Sequence, residues 1–257
     1  MKILVLGHKG MLGREAAKFF GNIHDVMTLG ERITRSNYKH LAEDLVSKNP
    51  DVIINCLGQI KQKYSDPEEM LCVNGEFPKE ISRLLSSEQV LVQPSTDCVF
   101  SGKKGRYKVD DIPDPVDAYG FSKLVSEEVN PEKSLVIRTS VIGMESETNV
   151  SLLSWFLSRE REVFGYTNHF WSGITSLEWC KSVNSLMNSN ERGLHHIATT
   201  RISKYDLLTC VGSVFSHPVE IIPIQEKECI DRSLDDSKLE VPCIFDQLQE
   251  IKDRSCA

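Results

Sequence analysis

The chain has 257 residues, a formal net charge of −7, and a composition of 40% hydrophobic and 26% charged residues. These values are ordinary for a globular protein, and the acidic balance argues against nucleic acid or an anionic membrane as the main partner. No apolar run approaches the ~20 residues that a membrane span requires. Eight cysteines are scattered without C-x-x-C or zinc-type spacing, so we expect reduced thiols in a cytoplasmic protein, with neither a disulfide framework nor a metal site.

Apolar strand-like runs alternate with helix-like segments through the first half of the chain. The predicted strands cover residues 2–6, 25–29, 51–55, 89–93 and 134–138. The predicted helices cover residues 11–20, 38–48, about 67–85, and a segment that carries Tyr119. Continuous apolar strands separated by helices indicate an α/β fold with a doubly wound parallel sheet. Ligands bind such sheets beyond the carboxyl ends of the strands, where Asn55, Ser95, Thr96 and Thr139 fall.

The alternation loosens beyond residue 140. Predicted helices cover residues 151–161, 176–188 and 204–215, the last capped by Ser203, and predicted strands cover residues 162–166 and 193–198. The end of the chain is mixed and rich in turns. We therefore expect residues 144–257 to form mainly a smaller lobe over the ligand edge of the sheet, with about 162–190 packing back on the sheet.

Three glycines join the first strand to the first helix in the pattern G-x-x-G-x-x-G, at Gly7, Gly10 and Gly13. Such a turn brings backbone N–H groups and the positive end of a helix dipole to one point, where a pyrophosphate can bind. The alternative is a strand-to-helix turn that merely uses glycine. Because a strand precedes the pattern and a helix follows it, we favour a dinucleotide-binding domain of the Rossmann type over residues 1–143.

The loop after the second strand lacks the usual acidic residue that would grip an adenosine ribose at the strand's end. Arg32 and Arg35 follow in that loop, and an arginine there could pair with a 2′-phosphate. Glu31 could instead serve NAD(H), and the arginines could be solvated loop charges. We expect NADP(H) to be favoured over NAD(H).

Tyr119 and Lys123 are four residues apart and so share one face of a helix. A tyrosine with an ordinary pKa near ~10 exchanges protons poorly at neutral pH. A nearby ammonium lowers that pKa because it stabilises the phenolate. The pair suits carbonyl reduction, although a surface tyrosine on an amphipathic helix has the same spacing. Gly120 costs the helix ~0.5–1 kcal/mol relative to alanine, which predicts a close approach to the backbone there.

A segment rich in hydroxyl and acidic side chains, Ser95-Thr96-Asp97-Cys98, follows the fourth strand. A hydroxyl at that strand end would face the same crevice as a bound dinucleotide. It could hydrogen-bond a substrate carbonyl and stabilise charge that develops on the oxygen. The alternative is a turn that uses Ser, Asp and Gly for their local hydrogen bonds.

In this order and spacing, the motifs resemble the extended short-chain dehydrogenase/reductase family, and within it the dTDP-4-dehydrorhamnose reductase branch. The matching pieces are the glycine turn, Asp51-Val52-Ile53-Ile54-Asn55, Val73-Asn74, residues 95–102, Pro113-x-Pro115-x-x-x-Tyr119-Gly120-x-x-Lys123 with Glu127, and Ile137-Arg138-Thr139-Ser140. The resemblance is strong over residues 1–143. It is looser through residues 166–175 and 193–207.

The resemblance implies that Thr96, Tyr119 and Lys123 are catalytic. Tyr119 would protonate the alkoxide oxygen, Lys123 would bind the nicotinamide ribose and lower the tyrosine pKa, and Thr96 would orient the carbonyl. The residues implied to bind the cofactor, besides Tyr119 and Lys123, are Gly7, Gly10, Met11, Leu12, Gly13, Arg32, Arg35, Asn55, Cys56, Leu57 and Asn74. Those implied to contact the substrate are Thr96, Asp97, Cys98, Val141, Asn168, Phe170 and Trp171.

Two positions depart from that branch, which usually has tyrosine where Cys98 stands and an aromatic residue where Val141 stands. Both positions line the sugar in the family, so the sugar pocket of this chain differs from that of the branch. The aromatic cluster at residues 166–171 lies in a region that approaches the sugar nucleotide in the family. A base or sugar ring could stack there, or the rings could pack between the lobes.

The resemblance implies an NAD(P)H-dependent reductase that acts on the 4-keto group of a nucleotide-linked deoxysugar, in the biosynthesis of activated sugars for polysaccharides. One alternative is a sugar-nucleotide epimerase. Another, from a different class, is a non-catalytic NADP-binding regulatory subunit like that of methionine adenosyltransferase. We expect a nucleotide-sugar substrate and neither nucleic acid nor membrane as a partner, and we leave a homodimer open.

Overall fold

The computed structural model describes residues 1–60, 66–145 and 149–256. Its strands are β1 (Lys2–Leu6), β2 (Asp25–Leu29), β3 (Val52–Asn55), β4 (Val90–Pro94), β5 (Ser134–Arg138), β6 (Val141–Ile142), β7 (Val163–Tyr166), β8 (His169–Trp171), β9 (Ile174–Thr175), β10 (Gly193–His196), β11 (Ile202–Ser203), β12 (Ile221–Ile224) and β13 (Ile230–Asp231). Its helices are α1 (Met11–Gly21), α2 (Tyr38–Ser47), α3 (Pro67–Leu71), α4 (Phe77–Leu84), α5 (Ala118–Val125), α6 (Leu152–Leu157), α7 (Ser176–Asn188), α8 (Lys204–Phe215) and α9 (Ile244–Cys256).

The central sheet has six strands in the order β10-β5-β4-β3-β1-β2. Every pairing in it is parallel, which confirms the predicted doubly wound α/β fold. Strand β1 lies between β2 and β3, with Leu6 opposite both Leu29 and Asn55. The chain therefore winds outward from β1 in two directions, and the crevice at this reversal is where such sheets bind ligands.

Alternate side chains of the sheet enter two separate cores. Ile3 and Val5 face the layer that contains α1 and α7, where Trp179 is fully buried. Leu4 and Leu6 face the opposite layer, which contains α2 and α4. Because successive side chains of a strand point to opposite faces and helices cover both faces, consecutive residues of β1 are apolar and buried.

The predicted strand bounds are close to those observed. Strands β1, β2 and β5 have the predicted limits, while β3 and β4 begin one residue late. The predicted helix over 67–85 is interrupted by a π-helical turn at Cys72–Glu76. Gly75 lies in that turn, and a Cβ there would be 2.9 Å from a methyl carbon of Val125. The turn therefore lets this helix and α5 pack closely.

Three predictions in the second half need correction. Helix α6 ends at Leu157 rather than at residue 161, because residues 158–162 are exposed and offer no apolar side chain to bury. Strand β10 ends at His196 rather than at residue 198. The end of the chain, which the sequence predicts to be rich in turns, contains helix α9. Leu248 of this helix packs into a core with Phe156 and Leu207.

Elements from the second half join the central sheet as well as forming small sheets of their own. Strand β10 pairs with β5, and α7 packs against α1. The smaller sheets are β11-β8-β13, β12-β7 and β6-β9. The division of the chain at residue 143 stays a prediction. No helix in the described part of the chain has both the length and the apolar composition needed to cross a bilayer.

Candidate active site

The glycine turn packs too closely for side chains. Gly7 has a φ of +73°, and a Cβ there would lie 2.8 Å from the backbone carbonyl carbon of Cys56. A Cβ on Gly13 would lie 2.2 Å from the Gly7 carbonyl oxygen, and the Gly10 N–H donates to that same oxygen at 2.9 Å. The turn therefore holds the first N–H groups of α1 open toward the crevice, as an anion site requires.

A cleft of about 670 Å³ opens beside this turn, at the carboxyl ends of β1, β3, β4 and β5. It brings together most of the predicted site residues: Gly7, Gly10, Met11, Leu12, Asn55, Cys56, Leu57, Thr96, Asp97, Cys98, Tyr119, Lys123 and Val141. Sequence reasoning missed several others that line it, among them Gly58, Ile60, Asp117, Glu145, Ser151 and Leu152. Ser151 and Leu152 come from the second half of the chain at the start of α6, a position that no motif marks.

Gly120 explains how Tyr119 reaches the end of β4. A Cβ on Gly120 would lie 2.2 Å from the carbonyl oxygen of Cys98, so α5 packs directly on the 3₁₀ turn Asp97–Val99. This confirms the predicted close approach to the backbone. Asp117 caps the helix, since its carboxylate accepts the Gly120 N–H at 2.8 Å. Tyr119 is thereby placed beside Thr96.

The pKa of Tyr119 is raised above its ordinary value, mainly because the phenol is desolvated by burial. A hydrogen-bonding contact with the Thr96 side chain acts in the opposite direction. The resemblance had implied a lowered pKa under the influence of Lys123, so the observed direction is a correction. Desolvation outweighs the other influences on the phenol, which therefore stays protonated and available as a proton donor at neutral pH.

Lys123 is buried in the wall of the cleft, and its ammonium donates to the Pro94 carbonyl at 2.5 Å. Burial lowers its pKa to about 8, while the nearby Glu127 raises it. The pKa of this ammonium is therefore closer to neutral pH than that of an ordinary lysine.

A buried charge pair lies one turn beyond Lys123. Arg138 donates to both carboxylate oxygens of Glu127, at 2.9 and 2.6 Å, and Ser95 donates to the same carboxylate at 2.5 Å. The two charged side chains are only 4% and 8% exposed. This network ties the end of α5 to β4 and β5. Glu127 and Arg138 belong to the motifs quoted above, but the sequence assigns them no role.

Four predicted cofactor residues lie outside the cleft lining, Gly13 of the glycine turn and the three that follow here. Asn74 is buried, with its amide bonded to both the N–H and the carbonyl of Gln59 and to Ser122. It therefore fixes the loop after β3 to α5. Arg35 pairs with Glu68 at 2.5 Å on the surface. Arg32 is exposed, next to Glu31, which does line the cleft.

The aromatic segment predicted to meet the substrate also lies outside the cleft lining. Trp171 is only 1% exposed and belongs to the core between α6, α8 and α9. Phe170 is covered by the Arg201 guanidinium, 3.3 Å from its ring centroid. Asn168 donates to the carbonyls of Glu226 and Glu228. Of the two alternatives, core packing describes Trp171.

No group of three or more His, Cys, Asp or Glu side chains in the described residues is arranged to hold a metal ion. Two buried polar atoms at the cleft have no hydrogen-bond partner within the described structure, Oδ1 of Asn55 and Nδ1 of His8. They are available to a ligand that can donate or accept a hydrogen bond there.

Together, the parallel sheet, the glycine turn and the Tyr119/Lys123 helix define a Rossmann-type protein of the extended short-chain dehydrogenase/reductase class. The profile of the family described as "RmlD substrate binding domain" matches residues 1–169. The chain belongs to this family.

The relatives are of two kinds. A dTDP-4-dehydrorhamnose reductase of Streptomyces griseus is 32% identical over 155 residues, which cover 53% of this chain and 48% of the relative. The chain thus spans about half the length of that relative. A methionine adenosyltransferase 2 subunit beta of Danio rerio is 25% identical over 256 residues, which cover 88% of this chain and 78% of the relative.

Solved structures share the whole fold. A hypothetical dTDP-4-dehydrorhamnose reductase from Sulfolobus tokodaii is 28% identical with a TM-score of 0.79, and the match covers 92% of each chain. A dTDP-4-dehydrorhamnose reductase from Bacillus anthracis, solved in complex with NADP, has a TM-score of 0.86 at 19% identity over 99% of each chain. A Bordetella bronchiseptica enzyme of the same fold was solved with NAD+.

Proposed function

We propose that this protein is an NADPH-dependent reductase of the 4-keto group of a nucleotide-linked deoxysugar. The observation that carries the proposal is that one cleft contains the glycine turn, Thr96, Tyr119 and Lys123. Carbonyl reduction by a bound dinucleotide needs a site for the pyrophosphate, a hydroxyl, a phenol and an ammonium, which these residues supply. The reductases among the relatives support the choice of substrate class.

The residues present fit a dinucleotide. Gly7 and Gly10 line the cleft with backbone alone, so no side chain of theirs stands between the turn and a ligand, and Asn55 keeps a buried oxygen without a partner in the described structure at the cleft. The turn would hold the pyrophosphate, and Lys123 would hold the nicotinamide ribose. The chemistry that a bound nicotinamide supplies is a hydride for the carbonyl carbon.

The chain's own side chains would control the oxygen of that carbonyl. Thr96 would orient it by a hydrogen bond, and Tyr119 would transfer its phenolic proton to the oxygen as negative charge develops there. Because burial raises the pKa of Tyr119, the phenol begins the reaction protonated. The cation of Lys123 would stabilise the phenolate left behind.

We propose NADPH as the preferred cofactor, through Arg32 with Arg35 in reserve. The Arg32 side chain has no hydrogen bond or ion pair among the described residues and follows the cleft-lining Glu31. Arg35 would have to leave Glu68 before it could contribute. The guanidinium fork matches a phosphate, so Arg32 is the residue on which NADPH preference would depend.

The second candidate is a regulatory role like that of the methionine adenosyltransferase beta subunit. It is favoured by the longer stretch of chain that this relative matches. Presence of Thr96, Tyr119 and Lys123 in the cleft favours an enzyme. Incubation of the protein with NADPH and 4-keto-6-deoxy sugar nucleotides decides among the functions. Net NADPH oxidation identifies a reductase, isomerised sugar without net oxidation identifies an epimerase, and cofactor binding without turnover supports the regulatory role.

We also propose a cytoplasmic location. None of the seven cysteines whose side chains the structure describes forms a disulfide, which is usual for proteins kept in a reducing compartment. A nucleotide sugar would be the partner of the cleft.

A further inference from the structure

Arg232 follows β13 and reaches back toward the loop that carries Cys98. Its backbone N–H donates to the Phe170 carbonyl at 3.3 Å, and its Nε donates to the Phe100 carbonyl at 3.0 Å. Its Nη1 lies 3.9 Å from the Sγ of Cys98. Cys98 lines the cleft, so these bonds fix a guanidinium at the edge of the candidate active site.

The charge of Arg232 is not balanced locally. No carboxylate lies within 4.0 Å of its guanidinium among the residues that the structure describes. The adjacent Asp231 is paired with Arg201 at 2.8 Å. Burial raises the pKa of the Cys98 thiol to about 12, so this thiol is neutral at physiological pH and supplies no negative charge.

A second cation, Lys204, is close enough to Arg232 for the charge of Arg232 to lower its pKa. Ser203 of β11 and Asp231 of β13 lie on the two sides of Phe170 of β8, and because β11 is antiparallel and β13 parallel to β8, Lys204 follows toward His169 and Arg232 toward Trp171. The Lys204 ammonium is 5.4 Å from the centre of the Trp171 ring. It has no ion pair within 4.0 Å in the described structure.

Asp97 is the acidic residue that influences the pKa of Lys204. Burial lowers the pKa of Lys204, Asp97 raises it, and Arg232 lowers it again. Glu226 is a second acid of this region, since it acts on His169 together with Lys204 and Arg232. The ring nitrogen Nε2 of His169, on the strand between the two cations, is buried without a partner in the described structure. The region beside Cys98, at the edge of the cleft, thus holds two cations without an ion pair within 4.0 Å among the described residues and a ring nitrogen with unmet hydrogen-bonding capacity, which an anionic oxygen group would satisfy.

We propose that Arg232, reinforced by Lys204, binds an anionic oxygen group of the substrate on the Cys98 side of the cleft. The identity of that substrate as a nucleotide sugar rests on the proposed function; the anion site itself does not. A guanidinium binds phosphate and carboxylate oxygens in a bidentate manner. The small thiol of Cys98, where the related branch usually has tyrosine, leaves the guanidinium room to approach the ligand. The anion is either the diphosphate or a carboxylate on the sugar.

Calorimetric titration tests the site directly. The probes are inorganic pyrophosphate, UDP, UDP-glucose, UDP-glucuronate and dTDP-glucose, with NADPH added to occupy the glycine turn. Arg232→Ala removes the guanidinium and Arg232→Lys retains its charge. Arg161→Ala is the matched control, since Arg161 is exposed and lies between α6 and β7. Thermal melting of each variant establishes that it is folded.

The expected result is an affinity about 10- to 100-fold weaker in Arg232→Ala for every probe that carries the recognised anion, as charge-assisted hydrogen bonds require. A loss shared by pyrophosphate, UDP and all three sugar nucleotides identifies the diphosphate. A loss confined to UDP-glucuronate identifies a sugar carboxylate. Equal affinities in wild type and Arg232→Ala, or failure of the wild type to bind any probe, would overturn the proposal.

Replacement of Cys98 provides an independent check. Cys98→Tyr restores the residue usual in the related branch and should displace the guanidinium, with a loss of affinity comparable to that in Arg232→Ala. Cys98→Ser keeps the size of the side chain and should retain affinity. If pyrophosphate binds through Arg232 but no sugar nucleotide binds or turns over, the proposed function fails and the anion site stands. If turnover is found and Arg232→Ala changes no affinity, the anion site fails alone.

Discussion

The backbone of Gly120 lies against the carbonyl oxygen of Cys98 so closely that a Cβ would come within 2.2 Å of it. Gly120→Ala therefore must push α5 away from the 3₁₀ turn, and it should displace Tyr119 from Thr96. Because misplacement of a reacting group by about 1 Å can cost ~10²-fold in rate, we expect a loss of that order in kcat/KM. Steady-state kinetics with NADPH and a 4-keto sugar nucleotide measure it. The exposed neighbour Phe121→Ala is the control, and an unimpaired Gly120→Ala enzyme would contradict the expectation.

Tyr119→Phe removes the proposed proton donor and keeps the ring. General acid catalysis contributes typically ~10²–10⁴-fold, so kcat should fall by that factor. The Kd for NADPH, measured by fluorescence titration, should be nearly unchanged because the variant keeps the aromatic ring and the glycine turn. If the variant retains the wild-type kcat on its substrate, Tyr119 is not the proton donor.

The pKa of Lys123, about 8 in the structure, predicts the alkaline limb of the pH profile. Burial has lowered this pKa, so the ammonium loses its proton as the pH rises through that value, and kcat/KM should fall over the same range. Tyr119 does not produce this limb, since its own pKa is raised. A profile of kcat/KM from pH 6 to ~10 measures the midpoint. A rate that stays constant across the whole range would rule out a requirement for cationic Lys123.

Variants of the Glu127–Arg138 pair provide a second test of whether Lys123 produces the alkaline limb of the pH profile. Arg138→Met alone leaves a buried carboxylate unpaired and should cost ~3–5 kcal/mol in the free energy of unfolding. The double variant Glu127→Gln/Arg138→Met should recover much of that stability. It should also move the alkaline limb to lower pH, because Glu127 raises the pKa of Lys123. Denaturant unfolding measures the effect on stability, and the pH profile measures the effect on the pKa of Lys123. If the alkaline limb stays at the same pH in a stable double variant, Glu127 does not influence the pKa of Lys123.

Cofactor preference should depend on Arg32. A charge-assisted hydrogen bond to phosphate contributes ~1.5–3 kcal/mol, so Arg32→Ala should weaken NADPH binding roughly ten- to hundredfold and leave NADH binding unchanged. Arg35→Ala should have a smaller effect, because Arg35 is engaged with Glu68. Calorimetric titrations with both cofactors compare them. Equal affinity of the wild type for NADPH and NADH would show that neither arginine contributes to cofactor preference.

Trp171→Ala should act on stability. The ring is 1% exposed and packed in the second core, and loss of a buried tryptophan side chain costs ~3–5 kcal/mol. Phe164→Ala, at a residue 56% exposed on β7, is the control that should unfold like the wild type. Denaturant unfolding measures the change in free energy. Unchanged stability with a raised KM for the sugar nucleotide would restore the stacking role that the sequence left open.

The parts of this structure that sequence could predict are those determined locally. The glycine turn is one example, because the spacing of Gly7, Gly10 and Gly13 and the strand before them are sufficient to indicate it. The strands of the first half are another, since each has a mainly apolar run. Tyr119 and Lys123 were found for the same reason, by their separation on one helix.

What sequence could not predict depends on tertiary pairing. Arg232 reaches Cys98 across 134 positions of chain, through the alignment of β13 with β8. Nothing in the composition of either segment indicates that register. Asn74 belongs to a motif, but only the structure shows that its amide bonds Gln59 and Ser122, and its assignment to the cofactor stays a prediction. Trp171 had two structural explanations, and only its burial separates them.

Strand β10 has a consequence for how the protein is made. It completes the central sheet beside β5, yet it comes from residues 193–196, after the match to the family profile has ended. While the ribosome is still adding the intervening residues, β5 is an unpaired edge whose five residues are all buried in the final structure. Exposed apolar edges of this kind pair readily with other chains. The nascent chain thus presents an unpaired sheet edge between synthesis of β5 and release of β10, and a fragment that stops before β10 would retain that exposed edge.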